Sequence, residues 1–160
     1  MSDAALLSHW DKQKHVIDAD PNGDRDWTVE LKYKPEWRQL LIAELDYRPI
    51  GFIQVIDPEK EETQYWGKAG SGIRAIDVRI GESSDLGKGY GTLMMKEAIA
   101  QCFDNDAVDT ILIDPLETND RARKFYERMG FKFVENRRFN EDNCAVYRMM
   151  RNEWENIKKQ

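Results

Sequence analysis

The sequence predicts one α/β (α+β) domain built on a sheet of mixed strand directions. Three observations support this fold class. The 160 residues fall within the usual size of a single domain, and 41% of them are hydrophobic, which is sufficient for a sizeable core. Helical and strand patterns alternate in the second half of the chain, and a hairpin pattern occupies the first half. We expect residues 1–160 to form this one domain, with 151–160 as a charged C-terminal tail.

The first half of the chain predicts two helices and one hairpin. Leu6, Leu7 and Trp10 share one face of a helical pattern, and the second helix stops before Pro35. Both strands are apolar at nearly every position, so we expect the sheet to be covered on both faces here. The predicted elements are a helix over Asp3–Trp10, a polar loop over Asp18–Asp26, a helix over Trp27–Tyr33, strands over Trp37–Leu45 and Ile50–Ile56 around a turn at Asp46–Pro49, and a loop over Pro58–Gly72.

The second half predicts alternating strands and helices. Met95, Ile99 and Cys102 lie on one buried helical stripe, and we expect the Cys102 thiol to be reduced. Gly130 is suited to end the next helix. The predicted elements are a strand over Ile73–Ile80, a helix from about Tyr90 to Phe103, a strand over Val108–Ile113, a helix over Asp120–Met129 capped by Thr118 or Asn119, strands over Phe131–Phe139 and Cys144–Met150 around a turn at Asn140–Asn143, and a short helix in Arg151–Gln160.

Composition excludes several classes of partner. The net charge of −6 argues against nucleic acid and permits a cationic substrate. The sequence contains no apolar run long enough to span a membrane and no signal-type N-terminus, so we expect a cytoplasmic protein without a membrane partner. Two histidines and two scattered cysteines have no zinc-ligand spacing, so we expect no metal.

The stretch Gly72–Thr92 predicts an anion-binding cradle. A β-rich run ends in a glycine-dense turn, and a helical pattern begins at about Tyr90. Gly87, Gly89 and Gly91 alternate, which lets backbone N–H groups approach a ligand closely. The positive end of the helix dipole points at the same place. The spacing fits neither the Walker A pattern G-x4-G-K-[ST] nor the dinucleotide pattern G-x-G-x-x-G.

Two motifs resemble those of the GNAT acetyltransferase superfamily. Leu86–Thr92 resembles motif A, Q/R-x-x-G-x-G/A, with Leu86 at the position of the usual Gln or Arg. Asn119–Phe131 resembles motif B, N-x-x-A-x-x-x-Y-x-x-x-G-F. The resemblance implies a mixed, mostly antiparallel sheet with helices on both faces. It also implies that the central parallel strands, Ile73–Ile80 and Val108–Ile113, splay apart around acetyl-CoA.

The same resemblance implies where acetyl-CoA, as a co-substrate, contacts the chain. Its pantetheine pairs with backbone near Val78–Ile80, its pyrophosphate sits on Gly87–Thr92, and Lys88 helps to neutralise phosphate. The implied cofactor-binding residues are Val78, Arg79, Ile80, Leu86, Gly87, Lys88, Gly89, Tyr90, Gly91, Thr92, Asn119, Arg121, Ala122 and Phe125.

A closer similarity, from about Leu6 to Met150, is to the aminoglycoside 6′-N-acetyltransferases. The stretches that carry it are Gly72–Asp77, Leu86–Thr92, Ile113–Pro115 with Asn119, and Asp142–Tyr147. The similarity implies acetylation of the 6′-amine of an aminoglycoside-like polycation. Members usually begin with a strand before the first helix, so we expect either a truncated start or a sheet that is one strand short.

Asp77 and Tyr126 are the implied catalytic residues. An aspartate inside an apolar strand is costly unless it is used or paired, and Asp77 matches the family acid that takes the amine proton. The alternative is a structural hydrogen bond to a neighbouring loop. Tyr126 matches the superfamily tyrosine that protonates the leaving thiolate, and its alternative is a core residue. A backbone N–H near Val78 would stabilise the oxyanion.

The acceptor site is expected to be acidic. Asp77, Asp114 and Asp142 match family acids, although turn chemistry alone would explain the last two. Trp66, next to Tyr65, either forms a wall of this pocket or caps the sheet edge. We expect a cationic small molecule as the partner of a monomer or homodimer. A polyamine, siderophore precursor or protein amine stays an alternative acceptor. A non-catalytic acyl-CoA-binding domain is another alternative.

Overall fold

In the computed structural model, which describes residues 1–160, six helices surround one six-stranded sheet. The helices are α1 (Asp3–Trp10), α2 (Lys14–Ala19), α3 (Trp27–Glu30), α4 (Tyr90–Phe103), α5 (Asp120–Met129) and α6 (Arg151–Lys158). The strands are β1 (Arg38–Leu45), β2 (Arg48–Ile56), β3 (Ile73–Ile80), β4 (Thr110–Ile113), β5 (Lys132–Phe139) and β6 (Asp142–Met150). They lie in the order β1-β2-β3-β4-β6-β5, and only β3 and β4 are parallel neighbours. The predicted mixed, mostly antiparallel sheet is confirmed.

The sheet opens between its two parallel strands. β3 pairs with β4 over three residues, the last of which joins Ala75 to Leu112. Beyond this point β3 continues to Ile80 while its other edge stays paired with β2. The edge of β3 over Ile76–Ile80 therefore has no strand partner, so alternate backbone groups along it are free to bind a ligand. We call this opening the β3–β4 gap.

Helices cover both faces of the sheet. α4, α5 and α6 pack on one face, where the largest apolar cluster includes Met95, Ile99 and Trp154. α1 and α3 pack on the other face, where the rings of Trp27 and Phe52 meet edge to face at 5.3 Å. None of the six helices has the length and apolarity that a membrane crossing requires.

The prediction missed α2 and extended α3 too far. α2 buries only Val16, so its sequence lacks the repeated apolar spacing that indicates a helix. α3 ends at Glu30 rather than Tyr33. The carbonyl oxygens of both residues accept hydrogen bonds from Arg38, at 3.1 and 2.8 Å, instead of from a further helical turn.

The remaining differences lie at strand ends and at the sheet edge. β3, α4 and α5 have the predicted bounds, and the tail forms α6. β2 begins two residues early because Asp46 and Tyr47 form a tight turn with φ +50° and +64°. β6 also begins early, whereas β1, β4 and β5 begin one or two residues late. β1 is an edge strand with no fully buried residue. Both of its faces are nevertheless covered in part, as expected, because Leu41 and Ala43 pack against the cluster under α4 while Leu40 and Ile42 pack against the cluster under α1 and α3.

Candidate active site

A cavity of about 500 Å³ lies at the β3–β4 gap and is lined from both faces of the sheet. Asp77 and Arg79 line it from one face, whereas Ile76 and Val78 point to the face that α4 covers. Tyr126 lines it from α5. The predicted site residues that line the cavity are Trp66, Asp77, Val78, Arg79, Asp114, Asn119, Ala122, Tyr126 and Asp142.

Asp77 presents an open carboxylate to this cavity. Its side chain is 40% exposed, and its closest charged neighbour is Arg79, with Nη2 at 3.3 Å from Asp77 Oδ2. The two residues stand on the same face of β3, and no protein group donates a hydrogen bond to Asp77. No direct hydrogen bond joins Asp77 to a loop, but Arg79 connects it to Asp20 of the N-terminal loop through two ion pairs. The carboxylate keeps part of its surface open to a ligand.

Tyr126 lies on α5 with its ring in the core. Its ring centroid is 5.1 Å from that of Phe125 and 5.8 Å from that of Phe131. Burial, with the negative charges of Asp77 and Asp114, raises the pKa of the Tyr126 hydroxyl above its usual range. The hydroxyl therefore keeps its proton at neutral pH, and the raised pKa makes it a weaker acid than an ordinary phenol.

Asp114 follows the end of β4 and is bound to the aromatic loop. Tyr65 Oη donates a hydrogen bond to Asp114 Oδ2 at 2.7 Å. Burial, with the charges of Asp77 and Asp20, raises the pKa of the Asp114 carboxyl to about 7 although the Tyr65 bond opposes this. Asp114 therefore titrates near neutral pH, and a bound cation would favour its ionised form.

Asp142 and Trp66 complete the opposite wall. Asn22 Nδ2 donates to Asp142 Oδ1 at 2.6 Å, which joins the N-terminal segment to the turn before β6. Trp66 is buried and meets Phe139 edge to face at 5.0 Å, while Tyr65 stacks on the same ring at 4.5 Å. Tyr65 and Trp66 line the cavity, as one of the two alternatives predicted, and they pack on a face of the sheet and not on its edge.

Cys144 also lines the cavity, yet it is not a ready nucleophile. Burial, with the negative charges of Asp114 and Asp142, raises the pKa of its thiol to about 12. The structure contains no group of three or more His, Cys, Asp and Glu side chains arranged to hold a metal ion.

The glycine turn lies between β3 and α4 and presents free donors. No backbone N–H from Gly87 to Thr92 donates to a backbone acceptor, and the first such bond joins Leu93 N to Gly89 O at 3.3 Å. Gly87 and Gly89 have φ +74° and +81°, and the space beside each is open. Unpaired N–H groups at a helix N-terminus fit a phosphate group, so the turn matches the pyrophosphate of a coenzyme A thioester.

Charged side chains flank this turn. Asp85 is buried and accepts two hydrogen bonds from Arg48, at 2.7 and 3.0 Å. Lys88 Nζ lies 3.6 Å from the same carboxylate, so its charge is partly neutralised. Phe125 lies next to Gly91, where an added Cβ would be 3.8 Å from the ring. The predicted cofactor residues outside the cavity are Ile80, Leu86, Gly87, Lys88, Gly89, Tyr90, Gly91, Thr92, Arg121 and Phe125.

Two charged groups line the cavity although the sequence predicted no role for them there. They are the carboxylate of Asp20 and the guanidinium of Arg79. The prediction placed Asp20 in a solvated loop and used only the backbone of Arg79. Arg79 Nη2 instead lies 2.6 Å from Asp20 Oδ2, and both side chains line the cavity. The acid-rich sequence of the loop was the one signal from which the position of Asp20 could have been predicted.

Asn119 also serves as the cap of α5, because its Oδ1 accepts a hydrogen bond from Ala122 N at 3.1 Å.

Comparison with known proteins gives consistent matches in sequence and structure. A family model described as "Acetyltransferase (GNAT) domain" matches residues 1–139. The aminoglycoside N(6′)-acetyltransferase type 1 of Klebsiella pneumoniae is 30% identical over 139 residues, which cover 81% of this chain and 69% of that protein.

Two solved structures of the aminoglycoside acetyltransferase AAC(6′)-Ib match at 26% identity, covering 98% of this chain and 94% of theirs. One is a complex with coenzyme A, with a TM-score of 0.87. The other is a complex with coenzyme A and kanamycin, with a TM-score of 0.86. The structural likeness therefore spans nearly the whole chain.

Proposed function

Because the chain belongs to the GNAT acetyltransferase family, we propose that it transfers the acetyl group of acetyl-CoA to the 6′-amine of an aminoglycoside-like polycation. The observation that carries the proposal is the cavity at the β3–β4 gap. There an open carboxylate, a protonated tyrosine and further acids meet beside an unpaired strand edge. The relatives described above support the choice of acceptor.

Acetyl-CoA would bind along the unpaired edge of β3. The free N–H groups of Gly87–Thr92 would hold its pyrophosphate, with Lys88 beside it. The backbone of Val78–Ile80 would pair with the pantetheine arm as a further strand would. In this arrangement the thioester would lie near Asp77 in the middle of β3.

The acceptor amine would lose its proton to Asp77. A neutral nitrogen then attacks the thioester carbon, and a backbone N–H near Val78 stabilises the negative oxygen that forms. Tyr126 would donate its proton to the sulfur as the carbon–sulfur bond breaks, and the second proton that the amine nitrogen loses would restore the Tyr126 hydroxyl. Asp114 and Asp142 would bind other ammonium groups of the polycation, because neither is ion-paired with a cation of the chain.

An assay of free-thiol release from acetyl-CoA tests this function. We expect thiol release with kanamycin-type acceptors, and mass spectrometry should detect an acceptor heavier by one acetyl group. Acetyl-CoA binding without thiol release on any amine would contradict the enzyme assignment. The protein would then be a non-catalytic acyl-CoA-binding domain.

Asp77→Asn tests the proton acceptor. We expect kcat to fall by about 100-fold or more while acetyl-CoA affinity is kept, since general base catalysis typically contributes this much. Asp57→Asn is the matched control. Asp57 is ion-paired at 3.4 Å with Arg74, which lies on β3 as Asp77 does, but Asp57 lies outside the cavity. Full activity of Asp77→Asn would exclude Asp77 from the mechanism.

A further inference from the structure

The glycine turn between β3 and α4 is tied to the sheet through one buried carboxylate. Asp85 lies just before Gly87, and Arg48, at the start of β2, donates a hydrogen bond to each of its oxygens, at 2.7 and 3.0 Å. The Asp85 side chain is 2% exposed, so water screens this ion pair poorly. The Arg48 bonds also hold the pKa of the Asp85 carboxyl below its usual range, so the ion pair persists at neutral pH.

The turn needs such a tie because its own backbone does not hold it. No N–H from Gly87 to Thr92 donates to a backbone acceptor. Gly87 and Gly89 lie at positive φ, where glycine has wide conformational freedom. A phosphate group must meet several N–H groups in register, and a turn that is already ordered binds it at a smaller entropy cost. The contact between Asp85 and Arg48 supplies this order before the ligand arrives.

Charge alone does not explain why an acid stands beside an anion-binding turn. Asp85 carries one negative charge and contacts two positive ones, those of Arg48 and Lys88. The sum of these three charges favours a phosphate, but the share of Asp85 in that sum opposes it. Lys88 Nζ lies 3.6 Å from the carboxylate and its side chain is 51% exposed, so it is free to turn toward a phosphate. Asp85 therefore favours phosphate binding only through the groups that it holds in place.

We propose that Asp85 is a positioning residue of the donor site. Through Arg48 it fixes the glycine turn in the conformation in which the N–H groups of Gly87–Thr92 receive the pyrophosphate of acetyl-CoA. Position and charge then act in opposite directions at Asp85, which makes the two effects separable by experiment. This inference rests on the proposed placement of acetyl-CoA.

Calorimetric binding of coenzyme A to the protein without acceptor tests it. Asp85→Asn should weaken binding by about tenfold although it makes the site more positive, because the tie to β2 is lost. Arg48→Met breaks the same tie and should weaken binding to a similar extent. The double variant should bind no more weakly than either single one. If charge alone mattered, Asp85→Asn would bind more tightly, Arg48→Met more weakly, and the double variant about as well as the wild type.

Steady-state kinetics should show the same effect on one substrate only. In Asp85→Asn we expect KM for acetyl-CoA to rise, while kcat and KM for the acceptor at saturating acetyl-CoA stay unchanged. Arg48→Lys keeps the charge but not the pair of parallel hydrogen bonds, so it should weaken coenzyme A binding only in part. Glu153→Gln is the control. It breaks a 2.7 Å ion pair with Lys132 that joins α6 to β5, and it should leave coenzyme A affinity unchanged.

Unchanged or tighter binding of coenzyme A by Asp85→Asn would overturn the inference, and so would a double variant with wild-type affinity. Where Asp85→Asn does not fold, Arg48→Lys decides, and wild-type affinity in that variant would overturn the inference. A wild-type protein that does not bind coenzyme A would refute the proposed function and this inference with it. Coenzyme A binding without thiol release on any amine would refute the function alone.

Discussion

Asp77 and Asp114 line one cavity, yet their surroundings give them different chemistry. Asp77 faces a guanidinium at 3.3 Å and accepts no hydrogen bond. Asp114 is bonded to a neutral phenol, and burial, with nearby negative charges, raises its pKa to about 7. The first carboxylate is the one that we propose takes the amine proton. The other responds to the charge of whatever binds.

The raised pKa of Asp114 predicts that cation binding depends on pH. Below about pH 7 the empty site holds a proton on Asp114, and a cationic acceptor must displace it. Binding should therefore tighten as pH rises from about 5.5 to about 7.5, a range in which aliphatic amines stay protonated. Calorimetry in buffers of different ionisation enthalpy should detect the released proton.

Substitution of Asp114 and of Asp142 separates the displacement of the Asp114 proton from the general attraction between a carboxylate and a cation. Asp114→Asn should weaken binding at pH 7.5 and abolish the pH dependence. Asp142→Asn should weaken binding while the pH dependence stays. An unchanged pH dependence in Asp114→Asn would show that another group takes up the proton.

At the scale of single residues, the sequence predicted the side chains that belong to motifs. It did not predict which groups pair with them. Asp77 and Tyr126 stand in recognisable patterns, and the structure brings both to one cavity. Arg79 and Asp20 are 59 positions apart, and their contact depends on how the N-terminal segment packs across β3. No local pattern contains that information.

The turn between β3 and α4 shows how one element prepares a binding site. Asp85 holds both Arg48 and Lys88, so the start of β2 and the glycine turn are fixed by one buried carboxylate. The turn offers backbone N–H groups without a backbone acceptor, and a phosphate held by those groups would not need a polar side chain at position 86.

Leu86→Gln should restore the side chain that motif A usually supplies. A hydrogen bond to a charged group is worth about 1.5–3 kcal/mol, so we expect KM for acetyl-CoA to fall by roughly tenfold. kcat and KM for the amine should not change. Leu86→Met keeps an apolar side chain and is the control. A higher KM for acetyl-CoA in Leu86→Gln would show that this position does not face the cofactor.

Element bounds were predictable where the sequence marks both ends. α5 begins after Asn119, whose side chain caps it, and ends at Gly130 with φ +103°. α2 has no such marks, since its cap residue Gln13 makes no side-chain hydrogen bond. The strand ends differ by one or two residues because pairing with neighbouring strands decides them.

The whole molecule is one sheet divided at the β3–β4 gap. β1, β2 and β3 form one part and β4, β6 and β5 the other, joined by three paired residues of two parallel strands. Alternation of strands and helices indicates a mixed sheet, but it does not show where two strands separate. That feature was expected from the family resemblance, and the register of β3 with β4 agrees with it.

A gap that opens toward both faces also determines the rate law. In the proposed binding mode, the acetyl donor and the acceptor would reach the reacting atoms from different sides, so both could be bound at once, and neither would have to leave for the other to enter. The Cys144 thiol, which lines the cavity, is poorly suited to store the acetyl group meanwhile, since it keeps its proton to a pKa of about 12. Initial velocities measured over a grid of both substrate concentrations should therefore give double-reciprocal lines that intersect. Parallel lines, or an acetylated protein after incubation with acetyl-CoA alone, would mean that the transfer occurs in two separate stages.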